Sequence, residues 1–222
     1  MLSVKVREIG EFGLIRVIQK MVDQETPLIR AGAFPLVLGI GDDAAAWRSG
    51  EATELATTDT LVEDVHFRGD LISWEELGWK ALAVNLSDIA AMGGLPMYAL
   101  VTLGLRSETE VEDVQGLYRG MLSACREYGC HIVGGDLVRS PVTFITVAMT
   151  GVSRGQLLTR HHAQPGDVVA VTGHLGCAAG GLRAHSHDVG LEDRVASHLR
   201  EAHVHPIPRI GEGQVLAQEG VR

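Results

Sequence analysis

Four short stretches of the chain set an acidic residue beside glycine or a small hydroxylated residue at the end of an apolar run. They are GIGDDAAA (39–46), TTDT (57–60), NLSDIAAMGG (85–94) and VGGD (133–136). A carboxylate at such an end, with glycine alongside, leaves room for a cation and its phosphate ligands. Mg²⁺ asks for hard oxygen ligands in octahedral geometry, and in phosphoryl transfer it neutralises developing charge. Each stretch also has a plainer reading. Asp42-Asp43 after Gly41 suits a turn, and taken alone the turn is the commoner outcome. Asp59 between threonines suits a strand cap, and Asp136 after two glycines another turn. Asp88 differs, because it sits within an apolar helical pattern, where a buried unpaired carboxylate costs several kcal/mol. Asn85 lies one turn earlier on the same face, whereas Lys80 is about two turns away and poorly placed to pair with it.

Other phosphate and hydrolase signatures are missing. There is no GxxxxGK[ST], no HRD or DFG, no GxSxG and no HExxH. Gly39-x-Gly41-x-x-Ala44 imitates a dinucleotide fingerprint, but its central pair is Asp-Asp, which repels a pyrophosphate unless a cation intervenes. The histidine pairs His161-His162, His185-x-His187 and His203-x-His205 complete no zinc spacing and read as solvated surface. His66 follows the TTDT segment closely and is positioned to enter the same cleft.

The elements that must carry these residues come next. The pattern predicts a helix over 11–22 and strands over 34–41 and 54–62. A capping box, Ser73 with Glu76, opens a helix that runs to Gly93. Strand 98–105 follows, then a second helix opened by Ser107 and Glu110 and stopped by Gly129. Strands 131–136 and 142–152 complete the order α β β α β α β β, a mixed α+β arrangement within the α/β class. A boundary at 151–166 divides a domain over 1–150 from an incomplete α/β domain over 151–222. The latter holds a strand (167–173), a small-residue helix (176–185), a polar tail (186–208) and a last helix from Pro208.

The 222 residues are 45% hydrophobic and carry 27 glycines, enough for a real core. Net charge is −9 and no basic run occurs, which argues against nucleic acid. Phosphate handling by so acidic a chain calls for divalent cations. Cys125, Cys130 and Cys177 form no framework and read as reduced thiols. With no apolar h-region at the start and no apolar run near the ~20 residues of a membrane span, the expectation is a cytoplasmic protein away from membranes.

GIGDDAAA, TTDTLVEDVHF, LGWKALAVNLSDIAAMGG, VGGD and LTRHHAQPGDVVAVTG resemble, in order and spacing, the thiamine-monophosphate kinase family. GEFGLI (10–15) fits as well, and the match covers nearly the whole chain. Aminoimidazole ribonucleotide synthetase, selenophosphate synthetase and the hydrogenase maturation dehydratase are wider relatives. The resemblance implies an α/β N-terminal domain whose sheet pairs with a second subunit's to form a barrel in a homodimer. It implies direct, in-line phosphoryl transfer from ATP to thiamine monophosphate, with several Mg²⁺ ions. By position, Asp43, Thr57, Thr58, Asp59, Asp88 and Asp136 become metal-site residues. Gly135, Asp136, Arg160 and Tyr118 meet ATP, and His66 contacts thiamine monophosphate.

Departures are present. GGDLVRSP stands where the family has GGDTTRGP, and TGHLGCAAGGL where it often has an acid at the position of Cys177. The family also continues beyond residue 222 with a further Asp-Gly motif, so the expectation is a fragment or a truncated product. Two other readings stay open: another ATP-using synthetase of the superfamily, or a chain that dimerises and binds nucleotide without turnover.

Overall fold

A computed structural model describes residues 6–25, 35–186 and 190–221. The elements are α1 (Val6–Glu25), β1 (Leu36–Leu38), β2 (Ala45–Ser49), β3 (Ala52–Val62), α2 (Trp74–Ala91), β4 (Leu95–Leu105), α3 (Val111–Tyr128), β5 (His131–Arg139), β6 (Phe144–Ser153), α4 (Cys177–Ser186), α5 (Asp193–Val204) and α6 (Ile210–Gln218). The strands form one mixed sheet ordered β1-β2-β3-β6-β4-β5, in which only β4 and β5 run parallel. The mixed α+β expectation therefore holds.

Strand alternation decides which sheet face is covered. Leu55 and Leu61 on β3, Ile145, Val147 and Met149 on β6, and Val101 and Leu103 on β4 are buried in one cluster with residues of α2 and α3. The alternate residues, Thr58 and Thr60 on β3, Ala148 and Thr150 on β6, and Tyr98 and Leu100 on β4, face the other way. Tyr98 and Leu100 are about half exposed there (47% and 50%).

Helix α2 begins where the sequence placed it. The Glu76 N–H donates to Ser73 Oγ at 3.3 Å, and the Ser73 N–H donates to the Glu76 carboxylate at 2.8 Å. Glycine lets α2 and α3 touch backbone to backbone: a Cβ at Gly78 would collide with the Leu117 carbonyl, and one at Gly120 with that of Glu75. Replacing either would push the helices apart.

Elsewhere the structure departs from expectation. Ala45–Ser49 is an additional strand, paired with β3 around the Gly50 turn. Ser107 does not cap α3, since its hydroxyl bonds Glu108. The cap is at Glu110, whose N–H donates to the Asp113 carboxylate at 3.3 Å. Residues 167–173 are exposed coil, not strand, with Val168 91% and Val169 92% exposed. A strand needs a neighbour for its backbone groups, and no described strand pairs with this segment. The polar tail contains α5, strapped to α2 by Arg200 bonds to Glu76 and by His205 stacked on Trp79 at 3.8 Å. His187 lies outside the described residues. The apolar stripe of α1 is not packed into the core: Phe12 and Ile18 are exposed, and Phe12, Ile15 and Val22 line an open groove against the sheet.

Candidate active site

The middle of β3 meets the second half of α2 through polar groups. Asn85 is fully buried and satisfied at both ends: its Oδ1 accepts the Asp59 N–H at 3.1 Å, and its Nδ2 donates to the Ala81 carbonyl at 3.1 Å. This amide fixes strand against helix. One turn on, Asp88 Oδ2 accepts the Thr57 hydroxyl at 2.6 Å. Thr57 and Asp59 share the helix-facing side of β3. Thr58 is on the opposite side and donates to the Val147 carbonyl at 3.0 Å.

The turn after β1 adds a second group. Arg160, from the long coil after β6, bonds the Asp43 carboxylate through Nη2. Beneath it, the Asp42 side chain is only 1% exposed. Its carboxylate accepts the Asp43 N–H at 3.0 Å and the Arg160 N–H at 3.2 Å, with His161 Nδ1 3.6 Å away. Asp42 thus pins the coil to the turn. Sequence reading had singled out Asp43 and treated Asp42 only as its turn partner.

Electrostatics tie the two groups together. Burial pushes the Asp88 carboxyl up to about 6; the Thr57 bond opposes this, and the charges of Asp59 and Asp43 add to it, with Arg160 opposing. Burial also raises Asp59, against the influence of His66. His66 is exposed on a turn that Asp64 makes with a positive φ of 63°. Its Nδ1 accepts the Val62 N–H at 3.1 Å, so the neutral ring carries its proton on Nε2. A groove of about 970 Å³ runs between α1 and the sheet, with Asp42, Asp43, Thr57, Thr58 and Arg160 on its polar wall and Phe12 and Ile40 on its apolar one.

The remaining sequence-predicted residues stand apart. Asp136 pairs in register with Thr102 on β4 and accepts its neighbour Leu137 N–H at 2.9 Å. Strands β6 and β4 separate it from β3, a lateral gap of roughly 14 Å at the usual strand spacing. Gly135 lies against Val101, whose carbonyl a Cβ would strike, a packing reason for glycine there. Tyr118 on α3 is half-buried against the core.

Asp43, Asp59, Asp88 and the Thr57 hydroxyl are the oxygen donors that suit a hard dication, and their mutual repulsion is what such an ion would relieve. Their spacing is open: among the described residues no three His, Cys, Asp or Glu side chains converge at ligating distance.

A mixed sheet backed by α2 and α3, with carboxylates at the β3–α2 contact, defines a domain class with known members. Residues 41–153 match the family AIR synthase related protein, N-terminal domain, and the chain belongs to that family. Within it the similarity is to thiamine-monophosphate kinases. The one from Bacillus subtilis (strain 168) is 37% identical over 185 residues, 81% of this chain and 57% of the relative. The crystal structure of the Aquifex aeolicus thiamine monophosphate kinase has a TM-score of 0.80 and 33% identity, covering 97% of this chain and 66% of that one. AaThiL complexed with AMPPCP and TMP has a TM-score of 0.86 and 34% identity, covering 98% and 66%. The chain thus spans between 57% and 66% of these relatives' lengths.

Proposed function

We propose that this protein transfers the γ-phosphoryl group of ATP directly to thiamine monophosphate, giving thiamine diphosphate and ADP with Mg²⁺. The observation that carries the reading is the Thr57 hydroxyl bonded to Asp88, with the charges of Asp59 and Asp43 acting on that carboxyl and Arg160 bonded to Asp43. It occurs in a chain similar to a kinase solved with AMPPCP and TMP. Asp43, Asp59 and Asp88, with Thr57 as a hydroxyl donor, would hold the metal, which when bound neutralises charge on the transferring phosphoryl group. Arg160 is suited to grip phosphate oxygens through its planar fork. His66, donating from Nε2, is suited to contact thiamine monophosphate. Thr58 and Asp136 as metal residues, and Gly135, Asp136 and Tyr118 as nucleotide residues, enter through the likeness to the kinases, not through a contact within this chain.

The half-exposed Tyr98 and Leu100 on the uncovered sheet face support a homodimer closed face to face. Residues 1–150 are then the nucleotide and metal domain, and 151–222 open a second one. Sparse cysteines without a framework support a cytoplasmic setting.

The test is a transfer assay with γ-labelled ATP, Mg²⁺ and thiamine monophosphate, run on this chain and on any longer natural form. Label in thiamine diphosphate is expected. Nucleotide binding without labelled product in either form would reduce the function to binding alone.

A further inference from the structure

Cys125 and Cys130 lie away from the carboxylate site, at the corner where α3 hands over to β5. Gly129 turns the chain there in the left-handed region (φ 73°). Both the Gly129 and Cys130 N–H groups donate to the Cys125 carbonyl, at 2.9 and 3.2 Å. This tight corner brings the two sulfurs to 3.6 Å, with the Cys130 thiol donating to Cys125 Sγ. Residues five apart meet here because the helix has ended between them. Sequence spacing alone gave no reason to pair them.

The surroundings make the two thiols unequal. The bond from Cys130, joined by one from the Ile132 backbone, holds the Cys125 thiol below the ordinary thiol range despite burial. The same bond, then burial, pushes Cys130 up. Cys125 keeps 7% of its surface exposed against 2% for Cys130. Of the two buried cysteines, the less enclosed residue is therefore also the one whose thiol is held lower. A disulfide has an S–S length of about 2.05 Å, so closure needs a shift of about 1.5 Å, within reach of side-chain rotation at the corner.

We propose that Cys125 and Cys130 form a dithiol that a hydroperoxide converts to an intramolecular disulfide. The Cys125 thiolate attacks the outer peroxide oxygen; an S–O bond forms, the O–O bond breaks, and the leaving alkoxide or hydroxide takes up a proton. Cys130 sulfur then attacks the sulfenic sulfur of Cys125. The S–S bond forms, the S–O bond breaks, and the departing hydroxide takes the Cys130 proton and leaves as water. Two thiols and one hydroperoxide give one disulfide, one alcohol or water, and one further water. The two sulfurs lose the two electrons that the peroxide gains. A small dithiol reverses the reaction by exchange. The bond pins the start of β5, the strand that bears Gly135 and Asp136.

Treatment of the intact protein with dilute hydrogen peroxide should lower its mass by about 2 Da, and alkylation in denaturant should then add a single label. Non-reducing peptide mapping should place the link between Cys125 and Cys130, with Cys177 alkylated. Dithiothreitol should restore all three thiols. The Cys130→Ser variant should instead give a sulfenic acid at Cys125 that dimedone labels. Full alkylation of both residues after peroxide, links to Cys177 or to a second chain, or failure of dimedone to label Cys125 in Cys130→Ser would overturn the proposal.

Discussion

The Thr57 hydroxyl bonds Asp88 Oδ2 at 2.6 Å across the contact between β3 and α2. It is a direct side-chain bond between two residues that the family resemblance assigns to the metal, one in a strand and one in a helix. Asp88 is half-buried near two other carboxylates, and burial pushes its carboxyl up to about 6 against the pull of that bond.

Asp88→Asn should therefore not harm the metal-free protein. An amide oxygen still accepts from Thr57, and repulsion with Asp59 and Asp43 disappears. The sign of the pH effect follows from the raised value. The native state binds this proton more tightly than the unfolded one, so its contribution is complete at low pH. It is lost as pH rises from about 3.8 to about 6. Denaturant melts without metal should place Asp88→Asn level with the parent at low pH and at or above it near neutrality. A drop of roughly 3–5 kcal/mol would instead make Asp88 the anchor of a buried ion pair.

Asp42→Ala should loosen the coil at residues 154–176. The carboxylate is nearly inaccessible and takes up the N–H groups of Asp43 and Arg160. Leaving such donors without it costs about 1–3 kcal/mol. Limited proteolysis should cut this coil faster in the variant, and ATP should bind more weakly as Arg160 loses its place. Unchanged cleavage would contradict a pinning role.

Glu76 joins a helix cap to a clasp. Its carboxyl is held down at about 2, chiefly by the Arg200 bond, with burial opposing and Ser73 helping. A depressed value means stability present above the ordinary 4.5 and lost as pH falls toward 2. Glu76→Gln should cost about 0.5–1 kcal/mol at neutral pH, the scale of a partly exposed ion pair. Paired melts should find that difference vanishing in acid. A difference independent of pH would assign the effect to packing.

Leu100→Asp addresses the uncovered sheet face. The parent should elute as a dimer in light scattering at low micromolar concentration, and the variant as a monomer with unchanged circular dichroism. A monomeric parent would sink the paired-sheet reading.

The legible parts of the molecule are those whose signals are local. Ser73 with Glu76 and the stop at Gly93 fixed both ends of α2, and Asn85 with Asp88 marked its polar face before any fold was known. Ala45–Ser49 escaped notice because a five-residue strand containing Arg48 has too little alternation to register. Val168, Val169 and Val171 gave a strand signal, but β-branched residues mark a strand only where a neighbour can pair with it. Helix α5 was hidden by charge, though Val195 and Leu199 at helical spacing were its available signal. The Asp42–Arg160 bond spans 118 residues, and no local pattern announces such a contact. The same holds for Cys125 and Cys130, whose meeting depends on the corner at Gly129.

If Asp43, Asp59 and Asp88 bind nucleotide through a metal, ATP binding measured by calorimetry must depend on Mg²⁺. ATP titrated into the protein with Mg²⁺ should release measurable heat, and with a chelator in place of Mg²⁺ almost none. Asp88→Asn should weaken the Mg²⁺-dependent heat and gain less thermal protection from Mg²⁺ and ATP, because stabilisation scales with affinity for the folded state. Equal ATP affinity with and without Mg²⁺, or an Asp88→Asn protein that binds as the parent does, would contradict the assignment of these carboxylates to the metal.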